Sequence, residues 1–146
     1  MSKSNTFEND LLKNVFNNDN IALVGDATGI RGSTTAGSLW VSLHTADPGE
    51  AGDQTTNETA YTNYVRVAVA RTSGGWTVSA NAVSNTALVQ FAQCGASGAT
   101  LTHFGVGTDS ASTGKLLYSG ALTSSLAVSS GIQPQFAAGD LDITED

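Results

Sequence analysis

Cysteine, proline and basic residues are all scarce in this chain of 146 residues, and two of these scarcities exclude whole classes of function. Cys94 is the only cysteine, so there is no internal disulfide and no cysteine-based zinc cluster. The six Lys and Arg residues form no run, which argues against a nucleic-acid partner, because phosphate binding needs clustered positive charge. The net charge of -7 favours solubility, or complementarity to a more basic partner.

Long apolar runs are also missing. No stretch approaches the roughly 20 residues of a membrane-spanning helix, so we expect no membrane partner. The first twenty residues are rich in Asn, Asp and Glu and contain no signal-peptide core, so we expect synthesis in the cytoplasm without a cleaved secretion signal. The low content of charged residues, 13%, suits short strands and tight turns better than long exposed helices.

One stretch, residues 37–50, organises the prediction of the fold. Leu39, Val41 and Leu43 alternate with polar or aromatic neighbours, which is typical of a strand with one face in a core. The sequence Asp-Pro-Gly at 47–49 then ends the strand, since proline fixes φ and glycine admits positive φ.

Further alternating segments predict an all-β fold. We expect a β-sandwich, jelly-roll-like, of about eight short antiparallel strands in a single domain over residues 1–146. Val65, Val67 and Val69 should share one core with Leu39, Val41 and Leu43, and 64–71 should form a hairpin with 76–79. The strand candidates are 21–24, 39–44, 64–71, 76–79, 87–91, 100–107, 115–120 with its continuation to 128, 132–136 and 141–144.

Residues 6–17 depart from this pattern and predict a short N-terminal helix. Their apolar side chains recur at spacings of three and four, with Thr6 as the expected N-cap and the Asn-rich run from 17 as the end. This amphipathic helix either packs on its own domain or docks on a neighbouring subunit. The residues that we assign to such a contact are Phe7, Leu11 and Leu12.

The longest polar stretch, residues 46–63, contains four carboxylates. Loops of this length are usually functional or mobile, so we assign Asp47, Glu50, Asp53 and Glu58 to a contact with an assembly partner. A mobile, solvated loop is the alternative. Calcium binding ranks below both, because the acidic spacing does not match an EF-hand.

The two histidines, His44 and His103, are the strongest candidates for chemistry. In one sheet they would be neighbours, and with a carboxylate they would make a metal site. We favour histidines bonded to backbone groups at sheet corners. No Gly-x-Ser-x-Gly elbow supports a catalytic triad, and no carboxylate pair suits glycoside hydrolysis. We therefore expect no enzyme, no catalytic residue, no metal and no cofactor, and a metal-dependent hydrolase ranks last.

Several stretches together resemble a group of small structural proteins of tailed bacteriophages. The most specific is Ser-Leu-His-Thr-Ala-Asp-Pro-Gly at 42–49. Supporting stretches lie at 7–13, 64–71, 101–107 and 143–146. Relatives are often labelled tail fibre proteins, and some phage proteins of this size and β-rich composition are capsid decoration, or cement, proteins. The resemblance implies a virion component and no catalytic residues.

Between these locations, the sequence favours the capsid, because it shows neither the repeats nor the stalk of a fibre. The expectation is a protein on the capsid surface that binds the major capsid protein and self-associates as a dimer or trimer. The alternative is a tail fibre, or a tail-associated module that recognises carbohydrate on the host surface.

Overall fold

The computed structural model describes residues 2–25 and 29–145. Within them it contains one helix, α1, and nine strands, so the predicted all-β class with an N-terminal helix is confirmed. This helix is too short and too polar to span a membrane. The elements are α1 (Asn5–Asn17), β1 (Ser38–His44), β2 (Val67–Ala70), β3 (Trp76–Ser79), β4 (Ala82–Asn85), β5 (Val89–Gln90), β6 (Ala99–Gly107), β7 (Leu116–Val128), β8 (Gln135–Phe136) and β9 (Asp142–Thr144).

The strands form three sheets, and the fold is sandwich-like. The largest sheet has the order β2-β1-β6-β7, a second has β3-β4-β9, and β5 pairs with β8. The pairs β1–β6, β6–β7, β3–β4 and β4–β9 are antiparallel, as predicted.

The chain divides into two units, each with its own apolar core. The first comprises Met1–Ser38, Val69–Leu88 and Phe136–Asp146, and the second Leu39–Ala68 and Val89–Gln135. Neither is one continuous stretch of chain. The expectation of a single domain over residues 1–146 stays a prediction.

The first unit is built around α1. Leu12 and Phe16, four residues apart on one helical face, are fully buried, and the Phe16 ring meets Trp76 edge-on at 4.9 Å. The predicted cap is wrong: Ser4, not Thr6, is the N-cap, and its hydroxyl accepts from the Phe7 N–H. The cap is two residues earlier because Ser4 has the extended backbone that a cap requires.

The end of α1 lies at the predicted position, for two physical reasons. Asn18 adopts the left-handed conformation with φ 63°, which stops the helix. The Arg71 guanidinium then donates to the carbonyls of Asn14 and Val15, which have no partner further along the helix. A positive charge at this end also complements the helix dipole.

The second unit is organised around β1, as the sequence predicts for Leu39, Val41 and Leu43. All three are buried, and so are Ser42 and His44 on the opposite face. Both faces are covered because the chain after β1 folds back over the polar one. Residue for residue, Trp40 to His44 pair with Gly107 to His103 of β6.

Three local predictions are wrong. Residues 21–24 form no strand; only Ile21 bridges to Ile30, and Leu23 and Val24 are exposed. The strand β3 pairs with β4 and not with β2, because the turn at 80–81 closes a shorter hairpin.

The third concerns the predicted core face of Val65, Val67 and Val69. Val65 is 62% exposed and the other two are only half-buried, whereas Arg66 is buried. Arg66 is buried because a carboxylate and two backbone carbonyls accept hydrogen bonds from its guanidinium, as described below.

Candidate functional site

The acidic loop, residues 45–59, is fastened to β1 at its base. The Thr45 N–H donates to the Asn57 carbonyl at 2.8 Å, and the Thr59 N–H donates to the Leu43 carbonyl at 2.9 Å. The Asn57 side chain donates in turn to the Asp47 carbonyl at 2.8 Å. The loop therefore continues the antiparallel pairing of the sheet for a short distance, which fixes both of its ends.

Two of its four carboxylates form hydrogen bonds or ion pairs with residues of the loop or of the segment beneath it. Asp53 accepts from the Thr55 N–H at 2.8 Å and from the Thr55 hydroxyl at 2.6 Å, and these hydrogen bonds lower the pKa of Asp53. Glu58 forms a forked ion pair with Arg66, at 2.7 Å from Nε and 2.8 Å from Nη2. The Tyr64 hydroxyl donates to the same carboxylate at 2.8 Å.

Arg66 joins the acidic loop to the turn at 108–114. Its Nη1 donates to the Asp109 carbonyl at 2.9 Å, and its Nη2 donates to the Ser112 carbonyl at 2.8 Å. The bonds to Glu58 raise the pKa of Arg66. Burial raises the pKa of Tyr64, so its hydroxyl stays protonated.

Gln54 makes a second connection to the same turn and has no exposed surface. Its side-chain Oε1 accepts from the Asp109 N–H at 2.8 Å, and its backbone N–H donates to the Thr113 carbonyl at 3.0 Å. Glycine is required at 107 and 114, because a Cβ at either position would overlap the Gln54 side chain. We call Gln54, Glu58, Tyr64 and Arg66 the polar clasp.

His44 lies under the acidic loop with the Ser42 hydroxyl 2.8 Å from its Nε2. Its Nδ1 is 2.9 Å from the Thr56 carbonyl. A carbonyl only accepts, so Nδ1 carries the proton and Nε2 accepts from Ser42. Burial lowers the pKa of His44 and favours this neutral form.

A hydroxyl bonded to an oriented imidazole is also the arrangement that activates a nucleophile. Here Ser42 and His44 both have no exposed surface, and the Leu116 side chain lies beside them over Gly105. A substrate cannot reach the serine, so the pair holds the sheet and loop together.

The sequence expectations for the histidines are partly confirmed. His44 and His103 are direct partners across β1 and β6. His44 bonds to a backbone carbonyl as expected, whereas the His103 ring bonds to the Thr102 hydroxyl at 2.9 Å. Among residues 2–25 and 29–145, no group of three His, Cys, Asp or Glu side chains is placed to hold a metal ion.

A cleft of about 570 Å³ opens between the acidic loop and β7. Asp47 and Glu50 are its exposed carboxylates, and Gly49 reaches φ +69° in the turn between them. None of the described residues that line it is Lys or Arg, so the cleft suits cationic or hydroxyl-rich groups and disfavours anions. Its lining residues are Asp47, Gly49, Glu50, Gly52, His103, Leu116, Leu117, Tyr118, Ser119, Gly120 and Ala121.

The residues assigned to a partner contact therefore fall into two groups. Asp47 and Glu50 lie together on the surface, whereas Asp53 and Glu58 are bonded internally. In the first unit, Phe7 is 39% exposed and Leu11 half-buried. Leu12 has no exposed surface, because it faces the core, and so it does not present itself to a partner.

Sequence reasoning missed the polar clasp. The signal available was an arginine inside an otherwise apolar alternating segment, which requires a buried partner. Nothing in the sequence indicates that this partner is Glu58, eight residues earlier, or that Gln54 lies beside Gly107.

An all-β chain whose polar side chains brace its loops has the character of a structural protein, and comparison with known families agrees. The chain belongs to the family described as podophage GP4 fiber I protein gp80, whose model matches residues 2–144. This is a family of bacteriophage virion structural proteins, as the resemblance implied. A comparison with curated proteins found no match.

Proposed function

We propose that this protein is a non-enzymatic structural component of the phage fibre apparatus. The main observation in support is that buried polar groups hold the acidic loop in place, while Asp47 and Glu50 are exposed on it. A braced loop loses little conformational entropy when it binds, which favours a permanent contact. The family description, which names a fibre protein, supports this location over the capsid.

The chemistry of the interior supports a role without catalysis. The hydroxyl–imidazole pair of Ser42 and His44 is sealed from solvent. The charged pair of Arg66 and Glu58 is saturated by fixed hydrogen bonds, so neither group is poised to exchange protons with a substrate.

Two exposed features supply contacts, one in each unit. The pair Asp47 and Glu50 suits a partner surface that carries Lys or Arg. Phe7 and Leu11 on α1 suit an apolar groove. The major capsid protein, which the sequence suggested as partner, is the alternative to a fibre or tail subunit.

Labelling of intact particles tests the location. Antibody-labelled gold should decorate fibres, and the copy number per particle should match the fibre subunits. Labelling spread over the shell, with a copy number in proportion to the capsid subunits, would establish capsid decoration instead. In that case, particles without the protein should release DNA at a lower temperature.

Charge reversal tests the contact. Glu50→Lys should weaken attachment to particles, with an unchanged melting temperature, because the Glu50 side chain is exposed at the rim of the cleft. Asp19→Lys is the matched control, an exposed acid on the other unit. Equal attachment of both variants and the parent protein would remove the acidic loop from the interface.

A second function, recognition of a neutral glycan on the host surface, is favoured by the cleft. Carboxylates and His103 provide acceptors for sugar hydroxyls, and about 570 Å³ lies in the range of small-ligand sites. Soluble host polysaccharide should then shift the NMR signals of Gly49 and Gly52. Binding that survives Glu50→Gln undiminished would place the glycan elsewhere.

A further inference from the structure

His44 connects the acidic loop to β1 from inside the protein. Its side chain has no exposed surface, and its Nδ1 donates to the Thr56 carbonyl of the loop at 2.9 Å. The backbone of His44 also forms a β-bridge to Glu58, near the end of the loop. The loop therefore cannot move away from β1 at this point without losing the Thr56 contact and exposing the imidazole to water.

The charged groups that the described residues place around His44 include no free counter-ion. The Glu58 carboxylate favours a proton on His44, but Arg66 holds its two oxygens at 2.7 and 2.8 Å. Arg66 itself and His103, the partner of His44 on β6, both disfavour that proton. The neighbour from β7 is the apolar Leu116. A proton on His44 would therefore be a buried charge without a partner of its own, and burial is the main reason that the pKa of His44 is lowered.

We propose that protonation of His44 opens the acidic loop. When the loop is open, water solvates the imidazolium, and the ring has the ordinary histidine pKa of about 6.5. Because the pKa of His44 is lower in the closed loop, the open form takes up the proton first as the pH falls. Acid therefore shifts the equilibrium towards the open loop, and neutral pH favours the closed one.

This opening regulates the contact proposed above. Asp47 and Glu50 are exposed on the same loop, so a loop released from β1 holds them in many arrangements instead of one. The entropy that is lost on attachment then increases, and attachment weakens. The consequence for attachment rests on the proposed function, whereas the opening itself does not.

Amide hydrogen exchange of the purified protein measures the opening. The Thr45 N–H donates within the loop and the Gln54 N–H donates to the turn at 108–114, and both hydrogen bonds break when the loop opens. Their exchange rates, divided by the rate of an unprotected amide at the same pH, should rise by up to about 25-fold between about pH 7 and pH 5. This limit is set by one proton with a pKa of about 6.5 in the open loop. The Ile30 amide, which is hydrogen-bonded in the first unit, is the internal control and should not follow.

His44→Gln removes the titrating ring and should abolish the rise. His103→Gln is the matched control, the partner of His44 across the two strands, and should keep most of the rise. If His44→Gln does not fold, the parent protein still gives an answer through the NMR signals of the His44 ring. At about pH 6.5, where an ordinary histidine is half protonated, these signals should be those of the neutral imidazole. An equal rise in His44→Gln or at the Ile30 amide, or a His44 ring that titrates as an ordinary histidine, would overturn the proposal.

Attachment to particles provides a second readout. The parent protein should attach less well at about pH 5.5 than at about pH 7, whereas His44→Gln should attach equally at both. A loop that opens in acid while attachment is unchanged would support the opening and contradict the contact through Asp47 and Glu50. Loop amides whose corrected exchange does not change with pH would overturn the opening, whatever attachment does.

Discussion

At the scale of single residues, the Arg66–Glu58 pair has the largest expected effect on stability. Arg66→Ala removes the forked bonds to Glu58, the donor to the Ser112 carbonyl and one of the two donors to the Asp109 carbonyl. We expect the free energy of unfolding to fall by about 3 kcal/mol, the lower end for a broken buried pair, because Glu58 keeps some exposure. Urea unfolding measures this loss. Lys115→Ala, an exposed control, should change it by less than about 0.5 kcal/mol.

His44 gives the protein a dependence on pH. Its pKa is lowered by burial, so the unfolded chain, with an ordinary histidine pKa near 6.5, takes up the proton first as pH falls. The contribution of His44 to the free energy of unfolding is complete above about pH 6.5. It declines as the pH falls further, towards the lowered pKa of His44 in the folded protein. The melting temperature should follow this decline.

His44→Gln isolates this effect. The variant should be less stable at neutral pH, but its melting temperature should be flatter between about pH 5 and 6.5. His103→Gln, in which His44 remains buried, should keep most of the slope of the parent protein, because burial is the main cause of the lowered pKa of His44. An identical slope in the parent and the His44 variant would assign the pH dependence to other groups.

Gly105 is required by the side chains that meet above it. A Cβ there would lie 2.6 Å from the Ser42 hydroxyl oxygen and 2.7 Å from Nε2 of His44. Gly105→Ala should therefore lower the free energy of unfolding by about 1–3 kcal/mol through overpacking. At Gly74 the nearest atom is the Thr72 hydroxyl at 3.6 Å, and Gly74→Ala should have almost no effect. Thermal unfolding of the two variants makes the comparison.

At the scale of elements, sequence patterns were reliable where one period dominated. The alternation of Leu39, Val41 and Leu43 predicted β1 and its buried face, and the three-four spacing predicted α1 to within a residue. The patterns failed where a few tertiary contacts decided the outcome. Val65 resembles its neighbours in sequence, but Arg66 takes the buried position because Glu58 is available.

The candidate site shows the same limit. The sequence identified residues 46–63 as an unusual loop with four carboxylates, but their roles depend on groups far away in the chain. Gln54 lies beside Asp109 only because β6 returns next to β1. No periodicity encodes such a meeting, so Asp53 and Glu58 could not be separated from Asp47 and Glu50 by inspection.

The cap of α1 gives a prediction at this scale. Ser4→Ala removes the acceptor for the Phe7 N–H and should lower the free energy of unfolding by about 1 kcal/mol. Thr6→Ala, at the cap position expected from the sequence, lies within the first turn and should be close to neutral. A larger loss of unfolding free energy for Thr6→Ala than for Ser4→Ala would show that residue 6 is the N-cap.

At the scale of the whole molecule, the chain passes between its two units four times, so neither unit is a continuous segment. Each unit consists of separate segments that are joined through the other unit. If one unit unfolded, its chain would become long loops between the segments of the other unit, and closing longer loops costs entropy. We therefore expect both units to unfold in one cooperative transition, as the single-domain prediction requires.

The two tryptophans allow this expectation to be measured, because Trp40 lies in the second unit and Trp76 in the first. Trp40→Phe leaves fluorescence that reports only the first unit, and Trp76→Phe leaves fluorescence that reports only the second. In each variant the fluorescence midpoint in urea should coincide with the midpoint from far-ultraviolet circular dichroism, which follows all strands. Comparison within each variant removes any effect of the substitution on overall stability. If the Trp76 signal is lost at lower urea than the dichroism while the Trp40 signal persists, the first unit unfolds separately and the protein has two domains built from interleaved segments.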